Sequence, residues 1–273
     1  MQINCKGTLI SLETPLVMGI LNLTHDSFFD GGHYQTFDNA KVQTEKMIRE
    51  GATFIDIGAT SSKPGSAISD PETELKILVP ILEQLLQSFP STIFSVDTYH
   101  SKVAQEALEI GASMINDISG GCIDPKMFAT VAQYKAPYVM MHMQGLPENM
   151  QADPQYENVV ADVVSFFARQ LESVKRNGIF DIIIDPGFGF GKTVENNYEL
   201  LQDLNHFKNL KCPILVGVSR KSMIYKKLNT SPKEALNGTT ALHAWALDRG
   251  ANILRVHDVK AAKECITLWQ ALQ

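Results

Sequence analysis

Eight short runs rich in Ile, Val, Leu, Phe and Met recur along the chain, each followed by a stretch with helical spacing of apolar residues. They are Leu16–Leu21, Phe54–Ile57, Ile93–Val96, Met114–Ile115, Tyr138–Met141, Ile182–Ile184, Ile214–Val216 and Ile253–Val256. Their starts lie 21 to 44 residues apart, which leaves room for a crossover helix in every interval, so all consecutive pairs can lie parallel. A doubly wound open sheet more usually has fewer strands and opens on a glycine-rich turn, and Asn22-Leu23-Thr24-His25-Asp26 has no such turn. The pattern predicts an α/β protein, a single (β/α)₈ TIM barrel filling residues 1–273 as one domain. Ile3–Cys5 and Thr8–Ile10, around Lys6-Gly7, are placed for a short hairpin closing the bottom of the barrel.

Helix ends punctuate the repeat. Ser231-Pro232-Lys233-Glu234 reads as a capping box with proline at the first helical position. Gly51 and Gly250 stand where helices starting near Asp38 and Ser231 should stop, and Asp258 is placed to cap a last helix with Ala262, Cys265, Ile266 and Trp269 on its apolar face. Hydrophobic residues at 44% and charged residues at 20% describe a chain with a full-sized core and exclude disordered and collagen-like classes. A net charge of −6 argues against a general nucleic-acid binder, so an anionic ligand requires a local basic cluster. No leader pattern or membrane-length apolar run is present, which predicts a cytoplasmic protein. The scattered Cys5, Cys122, Cys212 and Cys265 read as core or incidental thiols.

A barrel places its chemistry at the C-terminal ends of its strands. Those ends carry Asn22, Asp56 with Gly58, Asp97, Asn116-Asp117, His142, Asp185, Ser219-Arg220-Lys221-Ser222, and Arg255-Val256-His257. A single Asp or Asn in such a turn is as readily a helix cap, but polar residues at all eight ends converge on one rim. Asp97, Asn116 and Asp185 supply acceptors and an amide suited to a flat, nitrogen-rich ring, and Lys221 adds a cationic donor. Arg220, Lys221, Arg255 and His257 follow the last two strands, where barrels commonly bind phosphate.

Other motifs read as structural. Gly187-Phe188-Gly189-Phe190-Gly191-Lys192-Thr193 resembles the end of a Walker A loop, but Pro186 stands where the first glycine belongs. Its glycines are expected to bend the backbone and hold Phe190 near the site. Met141-His142-Met143 lacks a second ligand at metal spacing, so His142 is expected to pack. His25, His33, His100, His206 and His243 are expected at surface or capping positions, and Trp245 and Trp269 in the core.

Together these strings resemble the dihydropteroate synthase family. Met18-Gly19-Ile20-Leu21-Asn22-Leu23-Thr24-His25-Asp26-Ser27-Phe28 is similar to its first signature, and Asp56-Ile57-Gly58 through Pro64-Gly65 to its second. Ser95-Val96-Asp97-Thr98, Asn116-Asp117-Ile118, Met141-His142-Met143, Asp185-Pro186-Gly187 to Lys192-Thr193, Gly217-Val218-Ser219-Arg220-Lys221-Ser222 and Arg255-Val256-His257-Asp258-Val259 follow in order. Two places depart from the family pattern. Thr24-His25-Asp26 stands for Thr-Pro-Asp, and Ala59-Thr60-Ser61-Ser62-Lys63-Pro64 for Gly-Glu-Ser-Thr-Arg-Pro, with Ser62 keeping a hydroxyl and Lys63 a charge.

The resemblance implies condensation of 7,8-dihydropterin-6-ylmethyl diphosphate with 4-aminobenzoate to 7,8-dihydropteroate and pyrophosphate, a folate-synthesis transferase and sulfonamide target. It implies that Asp97, Asn116, Asp185 and Lys221 hold the pterin with Arg255 beside it. It implies that Asn22, Arg255 and His257 hold the diphosphate with Mg²⁺, Asn22 being the metal ligand, and that these three and Lys221 are catalytic. Ser62, Pro64, Phe190, Lys221 and Ser222 would surround the aminobenzoate, under loops 22–36 and 59–69. Small-molecule substrates and a homodimer are implied, with no nucleic-acid or membrane partner. Two rivals share parts of the pattern: a methyltetrahydrofolate-binding barrel of corrinoid methyltransferases, and a catalytically dead binding module.

Overall fold

The computed structural model describes residues 1–23, 33–60, 65–66 and 68–273. A two-stranded antiparallel hairpin, β1 (Gln2–Cys5) and β2 (Thr8–Ser11), opens the chain. Eight parallel strands follow: β3 (Leu16–Asn22), β4 (Phe54–Gly58), β5 (Ile93–Asp97), β6 (Met114–Asp117), β7 (Tyr138–Met141), β8 (Ile182–Asp185), β9 (Leu215–Val216) and β10 (Ile253–Val256). From β3 to β8 each strand pairs with the next, and β10 pairs with both β3 and β9. A parallel bridge between Ile184 and Ile214 joins β8 to the β9 side, the Ile184 N–H donating to Pro213 O at 2.9 Å. The predicted barrel and hairpin are both present.

Helices α1 (His33–Arg49), α2 (Pro71–Ser88), α3 (Ser101–Ile110), α4 (Met127–Tyr134), α5 (Val159–Arg176), α6 (Val194–Gln202), α7 (Ser222–Lys227), α8 (Leu236–Asp248) and α9 (Val259–Gln270) fill the intervals between strands and the C-terminal end. Helix α1 begins at His33, ahead of Asp38, and Gly51 and Gly250 both take left-handed backbone just past a helix, as expected. The Ser231–Glu234 capping box is formed, but it closes a 3₁₀ turn over Pro232–Glu234, and α8 starts only at Leu236. Asp258 precedes α9 without providing a side-chain cap; its carboxylate is taken by the guanidinium of Arg220 instead. A bidentate charged pair outcompetes a single backbone N–H for the same oxygens.

Side-chain alternation along the strands builds two stacked layers. Met18, Phe54, Met114, Val139, Ile183, Leu215 and Ile253 pack with Ile3, Cys5 and Leu12 from the hairpin segment into one buried cluster, with Ile93 at its edge. The hairpin is therefore a plug, and each aliphatic side chain it buries stabilises by roughly 1.5–3 kcal/mol. Two residues further along the same strands, on the same face, stand Asp56, Asn116, Asp185, Gly217 and Arg255, and Asp97 stands two beyond Ser95. The intervening residues, including Ile55, Ile57, Phe94, Val96, Ile182, Ile184, Leu254 and Val256, belong to the larger core shared with the helices.

Two placements differ from expectation. His243 is buried in α8 rather than at the surface. Trp245 is 55% exposed, with the Arg249 guanidinium 4.4 Å from its ring centroid, rather than in the core, while Trp269 does pack against the core. Polar and apolar residues are mixed round helix α8, with Thr239 and His243 buried and Leu236 and Trp245 exposed, so its periodicity does not choose a buried face. The four thiols are free, three of them buried and Cys122 exposed.

Candidate active site

Asp56 is the hub of the upper layer. It sits in β4 with no solvent exposure, and its Oδ2 accepts from Arg255 Nε at 2.7 Å and from Asn116 Nδ2 at 2.9 Å. Arg255 donates its second edge to Asp97 Oδ2 at 2.8 Å. Strands β4, β5, β6 and β10 are thus tied across the barrel mouth by one guanidinium, two carboxylates and an amide. Burial pushes the Asp97 carboxyl upward, Arg255 opposes it, and Asp56 adds to the rise. Burial opposes the charge on Arg255, yet Asp56 and Asp97 hold the guanidinium above its ordinary range. Asp56 Oδ1 is buried with no partner among the described residues. The run Phe54-Ile55-Asp56-Ile57 sets an acid inside a hydrophobic strand, a signal legible from the amino acids alone.

Asp185 and Lys221 face a space left by Gly217. A Cβ at Gly217 would stand 3.9 Å from both Asp185 Oδ2 and Lys221 Nζ, and 4.0 Å from Arg255 Cβ. Asp185 Oδ1 is held by the Gly187 N–H at 2.8 Å, leaving Oδ2 for a ligand. Burial raises the Asp185 carboxyl while Lys221 lowers it. Burial lowers Lys221 to about 8, with Asp185 pulling it back up. Lys221 donates to Phe188 O and lies 4.6 Å from the centroid of the Phe190 ring. Phe190 packs with Tyr99, Ile118, Ile123, Met141 and Met143.

The loop after β8 does bend on its glycines, as its sequence implies. Gly187, at φ +72°, would push a Cβ to 1.9 Å from His142 O, so no other residue fits. Beneath the loop lies Lys192, to which the sequence pattern assigns no role. It is 2% exposed, and its ammonium donates to Gly187 O and Phe190 O at 3.0 Å each and to His142 O at 3.3 Å. Its Nζ is also 2.9 Å from His142 Nδ1. Burial lowers Lys192 to about 7, against the pull of Asp185, and burial with Lys192 lowers His142 to about 2. His142 is a packed neutral ring, edge-on to Phe166 at 4.9 Å.

The turn after β9 corrects the expected cation cluster. Arg220 takes left-handed backbone at φ +54°, its N–H donates to Thr239 Oγ1 at 3.0 Å, and its guanidinium is spent on Asp258 and on the carbonyls of Pro232 and Lys233. It anchors the turn that presents Lys221 and Ser222, at the start of α7, instead of adding a free charge. His257 shares a hydrogen bond with Ser219 Oγ, 3.1 Å from its Nδ1, and burial aided by Arg255 lowers it to about 4. It is neutral at pH 7. Asp117 is likewise structural: its oxygens accept from Ser119 N–H and hydroxyl, Gly121 N–H and Tyr138 hydroxyl. Asn22 lies at the tip of β3, its Oδ1 3.9 Å from where a Gly58 Cβ would sit. Ser62 and Pro64, with His25 and Lys63, lie outside the described residues.

Ring-pairing acceptors on one side of a barrel mouth, and a lysine with an aromatic wall on the other, define a (β/α)₈ protein built to hold a polar heterocycle beside a second, flat ligand. The family model described as pterin binding enzyme matches residues 18–257. The dihydropteroate synthase of Haemophilus influenzae is 42% identical over 99% of this chain and 98% of its own length, and that of Escherichia coli K12 is 42% identical over 99% and 96%. The solved Yersinia pestis dihydropteroate synthase, in complex with a sulfonamide drug, is 40% identical at a TM-score of 0.93, covering 100% of this chain and 99% of its own. The Xanthomonas albilineans enzyme with 4-aminobenzoic acid is 38% identical at 0.92, covering 100% and 98%. The chain belongs to the pterin-binding enzymes and, within them, to the dihydropteroate synthase family.

Proposed function

We propose that this chain condenses 7,8-dihydropterin-6-ylmethyl diphosphate with 4-aminobenzoate. The bond from the pterin CH₂ to the diphosphate oxygen breaks, its electron pair leaving with pyrophosphate. The aminobenzoate nitrogen forms the new bond to CH₂ and gives up a proton to solvent, yielding 7,8-dihydropteroate. The observation that carries this reading is the juxtaposition around Gly217: Asp185 Oδ2 and Lys221 Nζ face one space, beside the Asp97–Arg255–Asp56–Asn116 network.

The pterin end fits Asp97, Asn116 and Asp185, whose oxygens accept ring N–H groups, with Lys221 donating to the ring and the Arg255 guanidinium beside it. As the CH₂–O bond breaks, positive charge builds on the pterin, where the buried carboxylates stabilise it, and negative charge builds on the leaving oxygens. The diphosphate is assigned to Asn22, Arg255 and His257, with His257 acting as a neutral hydrogen-bonding ring. The aminobenzoate is assigned to Phe190, Lys221 and Ser222, with Ser62 and Pro64 from the second loop. A positioned aniline needs no strong general base against such a cationic centre.

Magnesium fits this rim as a companion of the diphosphate. Among the described residues no three His, Cys, Asp or Glu side chains gather as a ligand set, while the Asn22 carboxamide stands at the strand end beside Gly58, its Oδ1 3.9 Å from where a Cβ there would sit. Mg²⁺ commonly keeps its waters and binds through one or two protein oxygens plus phosphates. Asn22 would hold it, and the ion would supply charge neutralisation at the leaving pyrophosphate. A cytoplasmic homodimer is part of the same reading, and among the described residues no helix is long and apolar enough to cross a membrane.

The test is pyrophosphate release by the purified protein with each substrate alone and both together. Release and dihydropteroate formation that require both substrates support the transferase. Methyl transfer from methyltetrahydrofolate, or pterin binding without turnover, would replace it with one of the rivals. Calorimetry is expected to detect aminobenzoate only once the pterin diphosphate, or pyrophosphate with Mg²⁺, is bound.

A further inference from the structure

We infer that Lys192 is a positioning residue for the aminobenzoate wall. This rests on the assignment of Phe190 to that wall. Among the described residues Lys192 has no salt-bridge partner, yet it is almost fully buried, and its Nζ is shared between the His142 ring at 2.9 Å and backbone carbonyls of two segments. Gly187 O and Phe190 O bracket the turn that Phe190 N–H closes on Gly187 O at 3.1 Å. The third carbonyl, His142 O, belongs to the segment after β7, so the ammonium binds the β8 loop down onto its neighbour.

What that turn presents meets the Lys221 side chain at two points. Phe188 O accepts from Lys221, and the Phe190 ring lies under the same ammonium. The Gly187 N–H holds Asp185 Oδ1, but that bond is short-range and would survive a shift of Phe190. A second tie acts on the same loop: the Tyr156 hydroxyl donates to Gly191 O at 2.7 Å. Loss of Lys192 therefore loosens the Phe190 carbonyl and the turn beside it, although Gly189 N–H stays on Asn197 Oδ1 at 2.6 Å, and it leaves the hydrogen bonds among Asp97, Asn116, Asp56 and Arg255 untouched. A lysine that merely stabilised the fold would, when replaced, lower the active fraction and leave both Michaelis constants alone.

The experiment is steady-state kinetics of Lys192→Met, Phe190→Ala and Tyr156→Phe with each substrate varied at saturating levels of the other. The expected result is a rise of at least tenfold in KM for 4-aminobenzoate in Lys192→Met, with KM for the pterin diphosphate within threefold of wild type. If Phe190→Ala raises the aminobenzoate KM while Lys192→Met leaves it unchanged, or moves both constants together, the inference about Lys192 is overturned and the wall assignment stands. If Phe190→Ala leaves that KM unchanged, the wall assignment itself fails, and the inference with it. Should Lys192→Met not fold, Tyr156→Phe decides: a selective rise of threefold or more supports the loop's role, and no rise overturns it.

Discussion

The two ends of the barrel are built from the same strands and obey opposite rules. At the bottom, Phe54, Met114, Ile183 and Ile253 meet the hairpin plug in an apolar cluster. Two residues on, the same strands present Asp56, Asn116, Asp185 and Arg255, and one buried oxygen there, Asp56 Oδ1, has no partner among the described residues. Leaving a buried acceptor unsatisfied costs about 1–3 kcal/mol, so the lower layer stabilises what the upper layer spends. Stability and chemistry are separated by one strand period, about 6–7 Å.

That separation can be broken from below. Phe54→Ala should cost about 3–5 kcal/mol in denaturant unfolding, through lost burial and the cavity left behind, while both Michaelis constants stay at wild-type values. Altered constants would mean that the layers are not independent. From above, Arg255→Ala removes a preorganised cation where leaving-group charge develops, and turnover should fall by about 10²–10³. The same change strands Asp56 and Asp97 as buried carboxylates without their counter-ion, so stability falls too. A rate within fivefold of wild type would place the leaving group elsewhere.

The smallest effect is a pH limb. Burial lowers Lys221 to about 8, so it is charged below that pH and loses its proton above it. Because the charged form is the one that meets an anionic substrate, kcat/KM should fall as pH rises through about 8, by about tenfold per unit beyond it. In Lys221→Arg, whose guanidinium stays protonated, the residual activity should show no limb centred near pH 8. A limb that persists in the arginine variant belongs to another group, with Lys192 next to be tested.

The barrel is legible in the sequence because eight buried strands announce themselves as short aliphatic runs, and because each polar residue that ends a strand interrupts such a run. Asp97, Asn116, Asp185 and Arg255 stand out that way, and the fold brings them to one mouth with Lys221 from the turn after β9. What escapes depends on partners distant in sequence. Arg220 looks like a free cation until Asp258, far along the chain, is seen to hold it. Lys192 looks like the remnant of a phosphate loop until the carbonyls beneath it are placed. Neither pairing leaves a periodic trace, since loop hydrogen bonds follow three-dimensional proximity and not spacing. Asp56 carries a readable signal, an acid flanked by Ile on both sides, but its role as hub requires the position of Arg255.

The division of labour is tested most directly at Asp185, an upper-layer carboxylate with an oxygen turned toward the Gly217 space. Titration of the pterin diphosphate with Mg²⁺ into Asp185→Asn by calorimetry should show affinity reduced by about 10- to 150-fold, the equivalent of a charge-assisted hydrogen bond worth about 1.5–3 kcal/mol. Thermal stability should be unchanged or slightly raised, because a neutral amide is easier to bury than a carboxylate. Pterin affinity equal to wild type, with stability lost instead, would contradict the account by making Asp185 a structural residue and moving the pterin away from this mouth.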